Sequence, residues 1–383
     1  MGKILIISTK NLLSNHFDGA QKRIFDISKS LSKKNKVDFI CLGENVLEKK
    51  PNLNFLNKLI IYKTGFFSKI YNVIISIFKF QPMQNGYFFS KDIYNFVSEN
   101  KQEYDVIIFH LIRSAQYLPD NFDGKTILEM TDLISHNYAQ VIKELSFFNP
   151  LKYIYLFEKF LLQKYEKKVS NSFDKTIFVT EKELALAKEF IEKTKIYVVG
   201  NCFESKKKIF KYNNKNNKIL FVGNITYLPN KLACYNFSKK ILPEINKKYP
   251  EIEFNIVGKI NVFDKLILSF FSNVKVHGPI KKIDKMIKKS ICGISNLKVS
   301  TGLQNKIFTY MSYGLPTIAS KDSVPKNLVK NKKNILVFSS QNDLIRCISQ
   351  LIEKKQLANL ISKNSHKIVK NKLAAKKVYN KYI

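Results

Sequence analysis

Through its first two hundred or so positions the chain alternates short, nearly continuous apolar runs with longer stretches in which apolar residues recur every third or fourth place. KILIIS (Lys3 to Ser8), VDFICL, DVIIFH (Asp105 to His110), KTILEM (Lys125 to Met130), KTIFVT (Lys175 to Thr180) and IYVVG (Ile196 to Gly200) are runs of the first kind. Gln21 to Ser32 is of the second kind and predicts a helix. Strands that are apolar on both faces belong in a parallel sheet covered by helices on each side.

From Ser205 to Asn217 the pattern breaks into SKKKIFKYNNKNN, polar, basic and poor in core residues, which marks a domain boundary. Alternation resumes with KILFVG, a helix expected from about Lys231 to Tyr249, FNIVG (Phe254 to Gly258), VKVHG (Val274 to Gly278), a helix near Ile283 to Lys289, ICGIS, and ILVF (Ile335 to Phe338). The reading is α/β with two doubly wound, Rossmann-like domains. Domain one is expected over 1–205 and domain two over 206–363, with a helix over 364–383 returning to the first domain. Ligands in such sheets bind beyond the carboxyl ends of the strands, so the two domains are expected to face each other across a cleft.

Composition adds boundaries. A chain of 383 residues exceeds one comfortable core, in line with two domains. No run reaches the ~20 apolar residues of a membrane-spanning helix, and KILIIS is too short for a signal peptide. The expectation is a cytoplasmic protein that touches the inner face of the cytoplasmic membrane. Five scattered cysteines form no Cys-x-x-Cys pair, and neither His-Glu-x-x-His nor Asp-x-Asp occurs, so no metal and no cofactor are expected. The formal charge of +35 fits an anionic surface, yet Lys, Asn, Ile, Phe and Tyr are abundant together, as an AT-rich genome would produce. The lysines are spread along the chain and no RNA-binding aromatic motif or zinc finger is present, which argues against a specific nucleic-acid partner.

The candidate chemistry lies where strands end. KILFVGNITYLPNK (Lys218 to Lys231) reads as strand, glycine turn and helix, and a glycine there lets backbone amides approach a phosphate. Gly258, Gly278 and Gly302 recur after later strands of the same half. In that order, FVGNITYLPN, ILPEI, FNIVGK, VKVHGPI and TGLQNKIFTYMSYGLPTIAS resemble family 4 glycosyltransferases of the GT-B fold, closest to bacterial transferases that build surface polysaccharides. Looser similarity extends into the first half through DGAQKRIFDIS, EMTDLISHNY and FDKTIFVTEKE.

The resemblance implies a nucleotide-sugar donor, a glycan or lipid-linked acceptor, and retention of anomeric configuration. It places Gly223 and Asn224 beside the donor diphosphate, with Asn230, Lys231 and Gly258 near them, and gives Lys306 a phosphate oxygen to neutralise. Gly302, Leu303 and Gln304 would offer backbone amides, and the backbone at Pro279 and Ile280 would meet the base. Three positions depart from the family pattern: Thr309 and Thr301 stand where glutamates are common, and Asn224 where an arginine is expected. In the first half the resemblance puts Asp18 and Gly19 in a loop near donor and acceptor and gives His110 a contact with the transferred sugar. Asp132 and His136 form a polar cluster assigned to the acceptor side.

Other readings stay open on the sequence: a nucleotide-sugar epimerase or phosphorylase of the same build, and a degenerate, donor-binding scaffold of a polysaccharide assembly. GFFSKIYNVIISIFKFQP (Gly65 to Pro82) reads either as a helix packed on the first sheet or as an interfacial helix at an anionic membrane.

Overall fold

The computed structural model describes residues 2–13, 17–43, 52–207, 209–280, 282–297, 304–324, 328–374, 378–379 and 382. The chain divides into two compact units, Met1–Gly200 with Tyr379–Ile383, and Asn201–Val378.

The first unit carries a seven-stranded sheet made of β1 (Lys3–Ser8), β2 (Lys36–Leu42), β3 (Lys58–Tyr62), β4 (Val106–His110), β5 (Lys125–Thr131), β6 (Lys175–Phe178) and β7 (Ile196–Val198). Their order is β3-β2-β1-β4-β5-β6-β7, every pair parallel. The helices are α1 (Gly19–Leu31), α2 (Phe66–Phe78), α3 (Met83–Tyr87), α4 (Lys91–Asn100), α5 (Ile134–Glu144), α6 (Pro150–Ser170) and α7 (Glu181–Ala187). The core joins Leu5 and Ile7 of β1 to Phe109 of β4, Leu128 of β5 and Phe178 of β6. Four of the five described β3 positions are only half-buried, as suits an edge strand.

The second unit holds a six-stranded parallel sheet of β8 (Lys218–Val222), β9 (Glu253–Val257), β10 (Val274–Val276), β11 (Ser290–Ser295), β12 (Thr317–Ser320) and β13 (Leu336–Phe338), ordered β10-β9-β8-β11-β12-β13. Its helices are α8 (Leu228–Asn236), α9 (Leu242–Asn246), α10 (Val262–Ser269), α11 (Asp284–Lys288), α12 (Asn305–Ser312), α13 (Gln341–Glu353) and α14 (Lys355–Lys372). The single helix expected from Lys231 to Tyr249 is α8 and α9 joined by a π-helical turn, Phe237–Ile241. Phe221, Phe237, Phe254 and Ile294 are among the residues packed at the centre of this unit.

Both sheets are α/β of the doubly wound kind that the apolar runs predict. In each, strand order reverses beside the first strand, between β1 and β4 and between β8 and β11, and a reversal leaves an opening at the strands' carboxyl ends. Among the described residues no helix is long and apolar enough to cross a membrane.

Candidate functional site

In the second unit, β8, β9 and β10 lie side by side, and each ends near a glycine. The Gly223 N–H donates to Val257 C=O at 2.9 Å, the Gly258 N–H to Gly278 C=O at 2.9 Å, and the Ile225 N–H to Lys259 C=O at 2.7 Å. Gly258 has φ +141, and a Cβ there would stand 1.8 Å from the Gly223 carbonyl oxygen. Only glycine fits both the dihedral and the gap. Gly258→Ala is therefore expected to destabilise the chain by about 2–4 kcal/mol in urea unfolding; a loss below about 0.5 kcal/mol would mean the turn yields without cost.

Above this turn stands a buried amine. Lys306, in the first turn of α12, is only 8% exposed. Its Nζ donates to Asn230 Oδ1 at 2.6 Å and lies 4.1 Å from the centroid of the Phe221 ring. Asn230 in turn donates through Nδ2 to the Asn224 carbonyl at 2.8 Å, so α8 and the β8 turn are tied to the lysine. Burial lowers the Lys306 pKa from 10.5 to about 7. Among the described residues no carboxylate forms an ion pair with it. A buried ammonium with one amide and one ring for company lacks an anion.

Lys231, expected to share the phosphate, differs. Its Nζ is 2.6 Å from Asp264 Oδ1, a carboxylate that also accepts from Asn261 Nδ2 at 2.7 Å and from Tyr235 at 3.3 Å. The two lysines have different environments because α10 brings an acid to one, and among the described residues no acid pairs with the other.

Tyr310 is what aims α12. One turn beyond Lys306, its hydroxyl accepts from the Val222 N–H at 2.7 Å and donates to the Ile294 carbonyl, bridging β8 and β11. Its ring lies against Gly293, where a Cβ would come within 2.4 Å. Pattern reading of the sequence does not single out Tyr310; the paired signal is a glycine inside a buried strand facing an aromatic on the following helix.

The remaining positions assigned to the donor side are distributed as follows. Asn224 is exposed, and its side chain accepts from the Thr226 N–H (3.1 Å) and hydroxyl (2.8 Å), an Asx turn. Thr309 donates to the Asn305 carbonyl at 3.0 Å, within its own helix. Gln304 precedes α12. Pro279 is exposed and Ile280 packs partly on the core. Thr301, Gly302 and Leu303 lie outside the described residues.

In the first unit the strand register itself builds a site: Ser8 and His110 are partners across β1 and β4. Ser8 Oγ is 2.9 Å from His110 Nδ1 and accepts the Lys10 N–H at 3.0 Å. Among the described residues the other ring nitrogen, Nε2, is buried without a hydrogen-bond partner. Burial, then the charges of Arg23, Arg113 and Lys10, push the His110 pKa well below 6.5. The unfolded chain binds this proton more readily than the folded one. The contribution is harmless above about pH 6.5 and becomes a loss of stability as pH falls below it. His110 is expected to stay neutral at about pH 6 by ¹⁵N NMR of the ring; an imidazolium at that pH would contradict this environment.

Two non-glycine residues with positive φ, Leu111 (+69) and Thr131 (+65), sit at the ends of β4 and β5, where strain of this kind commonly marks a site. Asp18 caps α1, accepting from the Gln21 N–H at 2.8 Å, and pairs with Lys10 at 2.7 Å; Gly19 opens that helix. Asp132 and His136 have separate companions. Asp132 faces Glu183, whose carboxyl is pushed well above its usual range by burial and then by Asp132, while His136 lies 2.7 Å from Gln140.

Arg113 and Arg23 escaped the motif reading. The Arg113 guanidinium lies 4.4 Å from the Phe88 ring centroid, its Nε is buried without a partner, and no acid pairs with it among the described residues. A signal was present: of 65 basic residues only Arg23, Arg113 and Arg346 are arginine. In a chain so biased to lysine, an arginine marks a place that needs a planar, permanently charged fork.

Residues 216–354 match the family described as Glycosyl transferases group 1. A curated relative, an uncharacterized 44.6 kDa protein in the cps region of Klebsiella pneumoniae, is 25% identical over 268 residues, 67% of this chain and 65% of the relative. The chain thus spans just under two thirds of that relative's length. Among solved structures, HepE of Anabaena in complex with UDP-glucose shares 13% identity at TM-score 0.67, covering 99% of this chain and 98% of its own. A TarM variant of S. aureus, in complex with fondaparinux, α-GlcNAc-glycerol and UDP, shares 12% identity at TM-score 0.68, covering 100% and 99%. The architecture is therefore that of the GT-B glycosyltransferases.

Proposed function

With residues 216–354 forming a group 1 glycosyltransferase domain, we propose that the chain moves a glycosyl group from a nucleoside-diphosphate sugar to a lipid-linked or growing surface glycan at the inner face of the membrane. The observation that carries this reading is Lys306, a buried amine with no carboxylate partner among the described residues, held by Asn230 over the glycine turn of β8.

Glycosyl transfer breaks the bond between the sugar's anomeric carbon and the diphosphate, so negative charge grows on the leaving oxygen. A preorganised cation in a water-poor site stabilises that charge more in the transition state than in the bound donor. The backbone of the β8 turn adds N–H groups without charge. In our reading the acceptor hydroxyl attacks from the face the diphosphate leaves, its proton passing to a diphosphate oxygen, and configuration is retained. Lys306 then does the work a divalent ion does elsewhere, and activity is expected to survive chelation. His110, neutral and with Nε2 unsatisfied among the described residues, is suited to hydrogen-bond a sugar hydroxyl, and Asp18 with Lys10 fixes the entry to α1.

The relative in a cps region and the UDP complexes of the neighbours favour a uridine donor and a surface glycan. A thermal-shift screen of UDP-, GDP-, ADP-, CMP- and TDP-sugars tests this. Selective stabilisation followed by transfer to a lipid-linked acceptor is expected; stabilisation with no transfer would favour a donor-binding scaffold, and conversion of the donor alone an epimerase.

The scaffold reading has one observation of its own. Thr309, whose hydroxyl is spent on Asn305, offers no charged acceptor to a ribose. Thr309→Glu is expected to raise donor affinity about ten- to a hundredfold, the value of a hydrogen bond to a charged group. Calorimetric titration of the two proteins measures it, and an unchanged affinity would place the ribose elsewhere.

A further inference from the structure

α2 is built inside out. Phe67, Ile70, Tyr71, Ile74 and Phe78 follow the i, i+3, i+4, i+7, i+11 spacing of an apolar stripe, yet the stripe is exposed, with Phe67 at 84% and Phe78 at 78%. The one buried residue of the helix is Ser76.

The start of α6 repeats the feature. Phe148, just before the helix, is 90% exposed, and Leu151, Tyr153, Ile154 and Phe157 are exposed on different sides of its first two turns. A protein partner covers one stripe of a helix. Exposed aromatic and aliphatic residues spread over a broad face of a helix start, wider than one stripe, suit a fluid medium.

The two elements are joined through α3. Glu158 of α6 accepts from the Met83 and Gln84 N–H groups at the start of α3, at 2.8 and 3.1 Å. α3 packs on α2 so closely that a Cβ on Gly86 would stand 2.2 Å from the Asn72 carbonyl oxygen, and Lys69 lies 5.1 Å from the Tyr87 ring centroid.

The charges are one-sided. Residues 65–82 contain Lys69 and Lys79 and no acid; residues 147–164 contain Lys152, Lys159 and Lys164, and the one acid, Glu158, is buried against α3. Lysines that rise around an apolar surface without an exposed carboxylate complement anionic headgroups.

We propose that α2 and the start of α6 together form a docking surface for an anionic lipid bilayer, the aromatic side chains entering the interface and the lysines meeting the headgroups. This deepens the reading of a lipid-linked acceptor, but it stands on a surface of the first unit and needs no donor.

The chain has no tryptophan, so Phe67→Trp and Phe148→Trp each supply a unique fluorophore on the surface. On adding vesicles of phosphatidylcholine with about one-third phosphatidylglycerol, emission from both is expected to move to the blue and to be quenched by brominated lipid. Two paired variants, Phe66→Ser with Phe67→Ser and Phe147→Ser with Phe148→Ser, are each expected to lower partitioning about tenfold or more with unchanged melting temperature.

Three results would overturn the proposal. One is adsorption with no spectral change, which is attraction of a chain of +35 to any anion. Another is partitioning unaffected by the serine variants. The third is a dimer by light scattering that those variants dissociate, which would make the surface a contact between copies. Donor-induced thermal shifts should be the same in wild type and serine variants, so failure here and failure of the donor reading are told apart.

Discussion

Replacing Lys306 by methionine is expected to make the chain more stable and unable to respond to its donor. The ammonium is buried with no carboxylate among the described residues, and burial brings its pKa from 10.5 to about 7. Below about pH 7 both folded and unfolded chains hold the proton, and the full cost of burying the charge falls on the folded state. Between about pH 7 and 10.5 the unfolded chain keeps a proton that the folded chain has released, so stability rises with pH across that window.

Methionine removes the charge and keeps the volume. The gain is expected to be on the order of 2 kcal/mol at pH 6, reduced by the Asn230 oxygen left without its donor, and smaller at pH 9. Donor affinity is expected to fall about a hundredfold, and kcat further, because the lost interaction grows as the diphosphate departs. A bound diphosphate should restore the ammonium. At pH 8 wild-type binding is then expected to take up close to one proton, seen as a calorimetric enthalpy that changes between Tris and HEPES. A variant that is destabilised at pH 6, or a binding reaction in wild type without proton uptake, would remove Lys306 from the phosphate site.

The second large effect is expected at Glu129→Ala. Glu129 and Arg23 are both buried, with Arg23 Nε 2.7 Å from Glu129 Oε1. The guanidinium also donates to the Val199 carbonyl at 2.8 Å and the Gly200 carbonyl at 3.0 Å. Glu129 further accepts from Thr131 at 3.3 Å and from the Tyr382 hydroxyl. One ion pair thus fastens α1, β5, the chain after β7 and the carboxyl-terminal residues of the first unit.

Burial alone would push the Glu129 carboxyl up, and the adjoining guanidinium opposes it. Removing the acid leaves a buried guanidinium without the carboxylate it pairs with, a change that typically costs about 3–5 kcal/mol. Glu129→Gln should cost less. The double replacement Arg23→Met with Glu129→Leu should recover most of the loss, since apolar groups of similar size replace a buried pair with little penalty. Urea unfolding of wild type, Arg23→Met, Glu129→Leu and their double variant gives the coupling directly; a loss under about 1 kcal/mol for Glu129→Ala would show that the pair is solvated.

Much of the fold was legible because it rests on local rules. KILIIS and DVIIFH are apolar without alternation, which only strands covered on both faces require, and they are β1 and β4 at the centre of the first sheet. The glycines after β8 and β9 were visible as turn residues, and the Gly258 dihedral gives the reason for one of them. β3 was missed because an edge strand is half-buried and its pattern is weak. The expected helix from Lys231 to Tyr249 was seen as one because a π-turn leaves the apolar spacing nearly intact. The segment after Gly65 was legible as a helix, but not the direction of its apolar face, since periodicity gives a stripe and says nothing of where the stripe points.

By itself, then, the sequence determined the parallel strands and the glycine turns at their ends. Those depend on residue type and on neighbours a few positions away. Tertiary structure alone decided that Asp264 takes Lys231 and not Lys306, and that Ser8 meets His110 from a strand 102 residues away. It also decided that Glu158 turns inward while the aromatics of α2 and α6 turn out. Such pairings join residues far apart in the chain, and burial, charge and protonation are properties of the surroundings that packing creates.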